Sequence, residues 1–278
     1  MMNAIMNAAG TWMWNNRTHG ELKWTTIETE HFNIHYHQNL DKIAIQGASI
    51  AEQIRPTLMK QMGLESLPTL DIIFTAEDEV LNGFAVPANY TIIWVDQNDA
   101  ALWTGDEKWL RTVLAHELQH LVYFNTVKGP WWLPEPMNSL VHGTPAWIVE
   151  GIAEYFTEEW RPFRYELSHR YHVLRNTVHK IQDPHNDGYS KSLYLADRFG
   201  DSTISKILNH RNKLKFLDFK ESFKKHTGIT LKQFNEDWRR QMNTFYFSQR
   251  SQKERLEDAG VIRKLPIKRV LSFDYFSD

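Results

Sequence analysis

The first third of the chain contains segments in which apolar and polar residues alternate. In the segment 31–37, Phe32, Ile34 and Tyr36 share one face, and the segment 22–27 alternates in the same way. Because successive side chains of a β-strand point to opposite faces of a sheet, both segments predict strands with one buried face. The other segments that predict strands are 69–76, 82–87 and 89–96.

Two helices are predicted around these strands. The first runs from Asp41 to Met62, where Pro56 is expected to kink or divide it and Gly63 to cap its end. The second runs from about residue 107 to 125. One of its faces is apolar and is predicted to face the core, through Leu110, Leu114, Leu118 and Leu121.

The remainder of the chain has helical periodicity. A loop is predicted at 127–143, and Thr144 followed by Pro145 predicts the start of the next helix, with Thr144 as its N-cap. Helical patterns then extend to about Arg255, with breaks predicted at 183–188, Gly200 and Gly228. The chain therefore predicts an α+β fold in three parts: an α/β lobe at 1–126, a helical lobe at 127–262, and an extended tail at 263–278.

Composition limits the chemistry that is open to the chain. It has 278 residues, a net charge of −2 and no cysteine, so a metal would have to bind histidine and carboxylate ligands. The chain has no overall basic charge, so its composition does not indicate nucleic acid as a partner. No segment has the roughly 18 consecutive apolar residues that a membrane span needs. The first residues show no signal peptide.

The second predicted helix carries an unusual polar stripe, in the run VLAHELQHLVYF at 113–124. His116 and His120 are four residues apart, so a helix projects both imidazoles from the same face. His-Glu-x-x-His on a helix is the pattern that holds one Zn²⁺ with two histidines, and Glu117 then acts as the general base. Two histidines on a solvated helix face are the alternative.

The run TPAWIVEGIAEYF at 144–156 favours the metal site. A zinc site of this kind needs a third protein ligand, which Glu150 can supply from the next predicted helix. Glu154 lies one turn further along the same face and is predicted to orient a ligand histidine through its free ring nitrogen.

The two motifs HELQH and PAWIVEGIAEY resemble those of the gluzincin metallopeptidases, and most closely the bacterial peptidase MA-like families. The strand ETEHFNIHYH and the stretch NGFAVPANYTIIWVD also resemble the N-terminal half of such domains. The resemblance implies a thermolysin-like fold, one Zn²⁺ per chain, and a peptide or protein substrate.

In similar proteins a TolB-like β-propeller follows the protease domain. The resemblance therefore implies that the strand-like pattern from about Lys268 onward is the start of such a domain. Similar proteins also carry signal peptides, which implies a periplasmic, cell-envelope or secreted location.

A tyrosine further along the chain is a candidate for transition-state stabilisation. The stretch GYSKSLYLADRFGD at 188–201 resembles the Tyr-x-Lys-Gly stretch of gluzincin aminopeptidases, although Ser192 stands where that family has glycine. The resemblance implies that the Tyr189 hydroxyl donates to the oxyanion of the tetrahedral intermediate. The alternative is a structural tyrosine that caps a helix start after Gly188.

The predicted function is zinc-dependent peptide hydrolysis. The chain lacks the Gly-x-Met-Glu-Asn run with which gluzincin aminopeptidases hold a free amine, so an endopeptidase is favoured. Two alternatives stay open: a zinc-bound interaction module without peptidase activity, and a hydrolase of a non-peptide amide or ester.

Other side chains offer less specific signals. The polar face of the strand at 31–37 could form a second metal site, although a hydrated strand face is the simpler interpretation. His142 could line the cleft or be an ordinary loop histidine. Trp131 and Trp132 could form the wall of a substrate groove or anchor the long loop.

Overall fold

Five strands form one mixed sheet in the first part of the chain. In the computed structural model, the described residues are 22–76, 82–95, 106–157, 163–178 and 183–253. The strands are β1 (Trp24–Glu28), β2 (Phe32–His37), β3 (Leu70–Thr75), β4 (Asn82–Val86) and β5 (Tyr90–Trp94). They lie in the order β1-β2-β3-β5-β4. All five predicted strands are confirmed, each within two residues at either end.

The sheet is parallel in its centre and antiparallel at both edges. β2 pairs parallel with β3, and β3 with β5, whereas β1 and β4 pair antiparallel with their neighbours. Parallel neighbours need a crossover, and the first helix supplies the one between β2 and β3. The predicted apolar face of β2 is buried, through Phe32, Ile34 and Tyr36. β4 is left at one edge of the sheet.

Helices make up the rest of the described chain, so the protein is α+β. They are α1 (Asp41–Met62), α2 (Asp106–Val127), α3 (Glu135–Val141), α4 (Ala146–Thr157), α5 (Phe163–Leu174), α6 (Pro184–Phe199), α7 (Ser202–Asn209), α8 (Phe219–Thr227) and α9 (Leu231–Ser251). Helix α2 packs against α1, β4 and α4. Its apolar face is buried as predicted, through Leu110, Leu114, Leu118 and Leu121. Its opposite stripe is therefore oriented toward α4.

Helices α4 and α6 touch backbone to backbone. A Cβ atom added to Gly151 of α4 would lie 2.3 Å from the carbonyl oxygen of Gly188 in α6. A Cβ atom added to Gly188 would lie equally close, 2.3 Å, to the carbonyl oxygen of Trp147. Both positions therefore need glycine, and the approach brings the first turn of α6 close to the acidic residues of α4.

Two predicted boundaries were wrong. The predicted break at 183–188 is mostly helix, because α6 begins at Pro184 and its N-cap Asp183 accepts hydrogen bonds from the N–H groups of His185 and Asn186. The loop predicted at 127–143 contains the short helix α3.

The prediction for Thr144 was also wrong in one respect. Helix α4 begins at Ala146, and the buried Thr144 hydroxyl makes no hydrogen bond with any described residue, so it is not the N-cap.

The predictions for the first helix concerned Pro56 and Gly63. Pro56 lies inside a single α1 and does not divide it, and Gly63 caps that helix in the left-handed conformation, as predicted.

Three further predictions concerned the lobe boundary, the extended tail and membrane-spanning segments. All described elements after β5 are helices, but the lobe boundary at 126–127 stays a prediction. The extended tail at 263–278 lies outside the described residues. Within the described ranges, no helical segment combines the length and the hydropathy that a bilayer span requires.

We expect Gly151→Ala to lower the free energy of unfolding by about 3 kcal/mol, because the new methyl group meets backbone atoms that cannot move independently. Gly228→Ala is the matched control, since nothing lies within 4 Å of its added Cβ and only the strain of its left-handed conformation, with a φ of +75°, opposes the substitution. That control should cost about 1 kcal/mol. Urea denaturation measures both values. Equal costs for the two variants would contradict the proposed clash.

Candidate metal centre

The polar stripe of α2 carries two histidines whose ring nitrogens converge. The Nε2 atoms of His116 and His120 lie 3.1 Å apart, and the rings meet edge to face. The four-residue spacing sets this geometry, because it returns a side chain to nearly the same helix face. Burial of the opposite leucine face fixes the direction in which the two rings project.

Helix α4 brings a carboxylate to the same point. The Oε2 atom of Glu150 lies 3.6 Å from Nε2 of His116 and 3.3 Å from Nε2 of His120. Ligand atoms bound tetrahedrally at about 2.0 Å from a zinc ion are separated by about 3.3 Å. The three distances are close to that value, and His116, His120 and Glu150 could hold a metal ion.

The electrostatics of this group favour a cation. Burial disfavours the charged forms of both Glu150 and His120, but the attraction between these two groups outweighs the cost of burial. His120 and hydrogen bonds from both histidines hold the pKa of Glu150 well below its usual range. Glu150 in turn raises the pKa of His120 to about 9. The centre therefore attracts positive charge, whether it comes from protons on the histidines or from a metal ion.

Glu117 is held between His116 and His120 and the edge of the sheet. Burial raises the pKa of this carboxyl group, while His116 and His120 oppose the shift, as does a backbone hydrogen bond from Ala85 in β4. A Cβ atom added to Gly83 of the same strand would lie 2.4 Å from Cγ of Glu117. Strand β4 thus supplies both a hydrogen bond and a bare backbone surface against which this side chain packs.

Glu154 contacts a histidine that the sequence analysis did not include. Its carboxylate is fully buried, and Oε1 lies 2.9 Å from Nδ1 of His185 in the first turn of α6. A carboxylate can only accept, so the ring N–H of His185 donates. The same Nδ1 lies 3.5 Å from Oε2 of Glu150. The orientation of a ligand histidine by Glu154 stays a prediction.

His185 extends the centre toward solvent. Its ring stacks on that of His116 with centroids 5.9 Å apart, and 45% of its side chain is exposed. His116, Glu154 and His185 form a second group that could hold a metal ion. The sequence did contain a signal for this residue: Asp183-Pro184 is a helix start, which places His185 in the first turn.

Tyr189 lies one turn beyond His185 in α6 and is buried. Its phenol interacts with that of Tyr155, whose pKa is raised mainly by burial and by a hydrogen bond to Asp201. Tyr189 is inside the helix, so it does not cap it. Its predicted interaction with an oxyanion stays a prediction.

The strand histidines each have a partner of their own. Nδ1 of His31 lies 2.8 Å from a carboxylate oxygen of Glu52, and Nε2 of His37 accepts the backbone N–H of Ala76 at 3.0 Å. His35 lies 3.5 Å from a carboxylate oxygen of β3. Within the described ranges, none of the three belongs to a group that could hold a metal ion.

Among its described side chains, the loop before α4 supplies no ligand to the centre. His142 is buried and accepts the N–H of Thr144 at 3.1 Å, and burial together with the charge of Arg211 lowers its pKa to about 4. Trp131 is 96% exposed and therefore does not anchor the loop, whereas about half of Trp132 is exposed.

Comparisons with known proteins give little further information. No protein-family model and no curated protein matches the chain. Among solved structures, an aminopeptidase N family protein from Idiomarina loihiensis is similar, with 13% sequence identity and a TM-score of 0.48. The match covers 79% of this chain and 46% of that one. A likeness at this level does not bear on function.

We expect the purified chain to bind one divalent metal ion, and His116→Ala and His120→Ala to lose it, because each removes a ligand. Glu154→Gln should weaken the affinity about 10- to 100-fold, as expected for a group that supports the ligands. His35→Ala is the matched control, since that histidine lies outside the cluster. Elemental analysis and competition with a chromophoric chelator measure these effects. If all three histidine variants bind metal equally well, the ligand assignment is wrong.

Proposed function

We propose that the protein is a zinc-dependent peptidase of the gluzincin type, with a thermolysin-like fold. The observation that carries the proposal is the convergence of His116, His120 and Glu150 beside Glu117 at the edge of a sheet. The resemblance of the two motifs to gluzincins supports the choice of peptide bonds as the substrate.

The residues present fit a catalytic rather than a structural zinc site. His116, His120 and Glu150 would hold the ion, and three protein ligands leave one coordination position open. A bound zinc ion would polarise a carbonyl group and lower the pKa of a water molecule. The partly buried negative charge of Glu150 supplies the electrostatic attraction for the cation.

Glu117 is proposed as the general base. Its carboxylate accepts a proton from the attacking water and later passes it to the leaving nitrogen. A carboxyl group whose pKa is raised by burial is better suited to carry a proton near neutral pH than an ordinary glutamate. Contacts with Gly83 and Ala85 restrict the positions that this side chain can adopt.

Two residues of α6 are candidates for stabilising the oxyanion. Tyr189 is proposed from the motif resemblance. His185 is proposed from geometry, because its half-exposed ring lies beside Glu150 while Glu154 holds its Nδ1–H. A protonated His185 could donate its Nε2–H to a developing negative charge.

Strand β4 suits an extended substrate. Within the described sheet it pairs with β5 alone, so its other edge can accept the backbone of a peptide. Its contact with Glu117 would bring such a peptide next to the general base. Export to the cell envelope and a following β-propeller also belong to the proposal, and motif resemblance alone supports them.

The alternatives differ in what they require of Glu117. A zinc-bound interaction module needs no general base and usually has four protein ligands. A hydrolase of a non-peptide amide or ester would use the same residues as a peptidase. Turnover of casein that a chelator abolishes identifies the peptidase. If casein is not hydrolysed, turnover of a panel of amide and ester substrates separates the other hydrolase from the interaction module.

We expect Glu117→Gln to keep the metal but to lower turnover by roughly 10²–10⁴-fold, because shape is conserved while the base is lost. Glu150→Gln should instead weaken metal affinity, because it removes a charged ligand. Metal content and casein hydrolysis are measured on the same preparations. Equal loss of metal in both variants would show that these roles are wrongly assigned.

We expect Gly83→Ala to lower turnover by about tenfold or more, because its methyl group displaces the carboxylate of Glu117. The fold should be retained, since alanine is tolerated in an edge strand. Asn82→Ala, in the same strand and exposed, is the control and should have normal turnover.

A double variant identifies the cause of that loss. If Gly83 acts through Glu117, Gly83→Ala should cause no further loss of turnover in the Glu117→Gln background. Multiplication of the two losses would instead mean that Gly83 acts independently of Glu117.

We expect one of Tyr189→Phe and His185→Gln to lower kcat by roughly 10²–10³-fold with KM nearly unchanged, as for loss of one oxyanion donor. The geometry favours His185. A structural Tyr189 would show a lower melting temperature and near-normal turnover when replaced by phenylalanine. If neither variant changes kcat, neither residue donates to the oxyanion.

A further inference from the structure

The segment between α2 and α4 exposes a concentration of large apolar side chains. Trp131 is 96% exposed and Leu140 is 74% exposed. We call the exposed side chains of this segment the apolar patch: Trp131, Trp132, Met137, Leu140 and Val141. Single exposed apolar residues are ordinary, but several within eleven positions are characteristic of a binding surface.

The apolar patch is joined to the segment that follows α7. The N–H of Phe219 donates to the carbonyl oxygen of His142 at 2.9 Å, directly after the patch. Arg211 donates to the carbonyl oxygen of Thr126, just before it. The chain between Arg211 and Phe219 carries a further exposed apolar residue, Leu214. The two segments thus lie side by side.

This second segment is strongly basic. From 206 to 225 the chain has seven basic residues against two acidic ones, although the whole protein has a net charge of −2. Its exposed lysines are Lys206, Lys213, Lys215, Lys220, Lys224 and Lys225. None of these lysines forms an ion pair with another residue in the described ranges.

We propose that the apolar patch and these lysines bind the surface of an anionic lipid bilayer. Trp131 and Leu140 would enter the boundary between headgroups and acyl chains, where exposed tryptophan and leucine side chains are stable. The lysines would lie against the anionic headgroups, each contributing electrostatic attraction.

The composition of the surface favours a bilayer over other partners. Lysine is depleted in protein–protein interfaces and arginine is enriched, yet here Arg211 is used for internal hydrogen bonds. A nucleic acid would use the lysines but would gain little from Leu140 or Val141. A bilayer uses both kinds of side chain. The surface includes no residue of the metal centre, so binding is expected with or without metal.

Co-sedimentation of the full chain with lipid vesicles tests the proposal. We expect binding to vesicles of mixed phosphatidylglycerol and phosphatidylcholine, weakened by salt, and little binding to phosphatidylcholine alone. Trp131→Ser and Leu140→Ser should each weaken binding roughly tenfold or more. Lys213→Gln and Lys215→Gln should each weaken it about fivefold.

Matched controls come from elsewhere on the surface. Leu167 of α5 is as exposed as Leu140, at 74%, and Lys60 of α1 is also exposed. Leu167→Ser and Lys60→Gln should leave vesicle binding unchanged. Circular dichroism checks that every variant is folded.

Three results would overturn the proposal. The first is equal binding to anionic and neutral vesicles, or none to either. The second is equal weakening by the control and the patch variants. The third is failure to bind vesicles combined with another activity of the surface. Binding to duplex DNA would assign the surface to a nucleic acid, and self-association that Trp131→Ser abolishes would assign it to a second copy of the chain.

Discussion

Burial of two carboxylates and partial burial of a third in one small region are the constraint on which the site depends. Glu117, Glu150 and Glu154 all lose hydration where α2, α4 and β4 meet, and like charges at such distances repel each other. The groups facing Glu150 include His116 and His120. Imidazoles compensate for part of this negative charge through hydrogen bonds, and a divalent cation among them would compensate for more. The region is therefore polarised for a metal ion before any ligand enters.

The fold holds this cluster together with backbone contacts rather than with long side chains. Gly151 and Gly188 let α4 and α6 approach until their main chains touch, which brings His185 to the carboxylates of α4. Gly83 does the same for β4 and Glu117. Helices and strands whose backbones touch have few alternative positions relative to each other. Side chains of the site that must be placed to within tenths of an ångström are therefore well restrained.

Prediction from the sequence was accurate where one periodicity extends over many residues. The five strands and helices α1 and α2 were recognised because alternation and the 3.6-residue repeat report directly which face is buried. Helix α3 was missed because it has only seven residues and its apolar side chains are exposed, so burial leaves no periodic signal. The start of α6 was misplaced because Asn, Asp and Gly suggested a turn, although Asp183 and Pro184 form a helix start.

For the candidate site, the sequence alone determined that His116 and His120 share a helix face, since a four-residue spacing has this result in any α-helix. It also placed Glu150 and Glu154 one turn apart on the next long helix. The tertiary structure decided that the two helices face each other, that His185 reaches Glu154 across 31 positions, and that Gly83 packs on Glu117. Local periodicity specifies which face of an element is buried, but the partner of that face depends on helix crossing and strand order, which are set by packing of the whole chain.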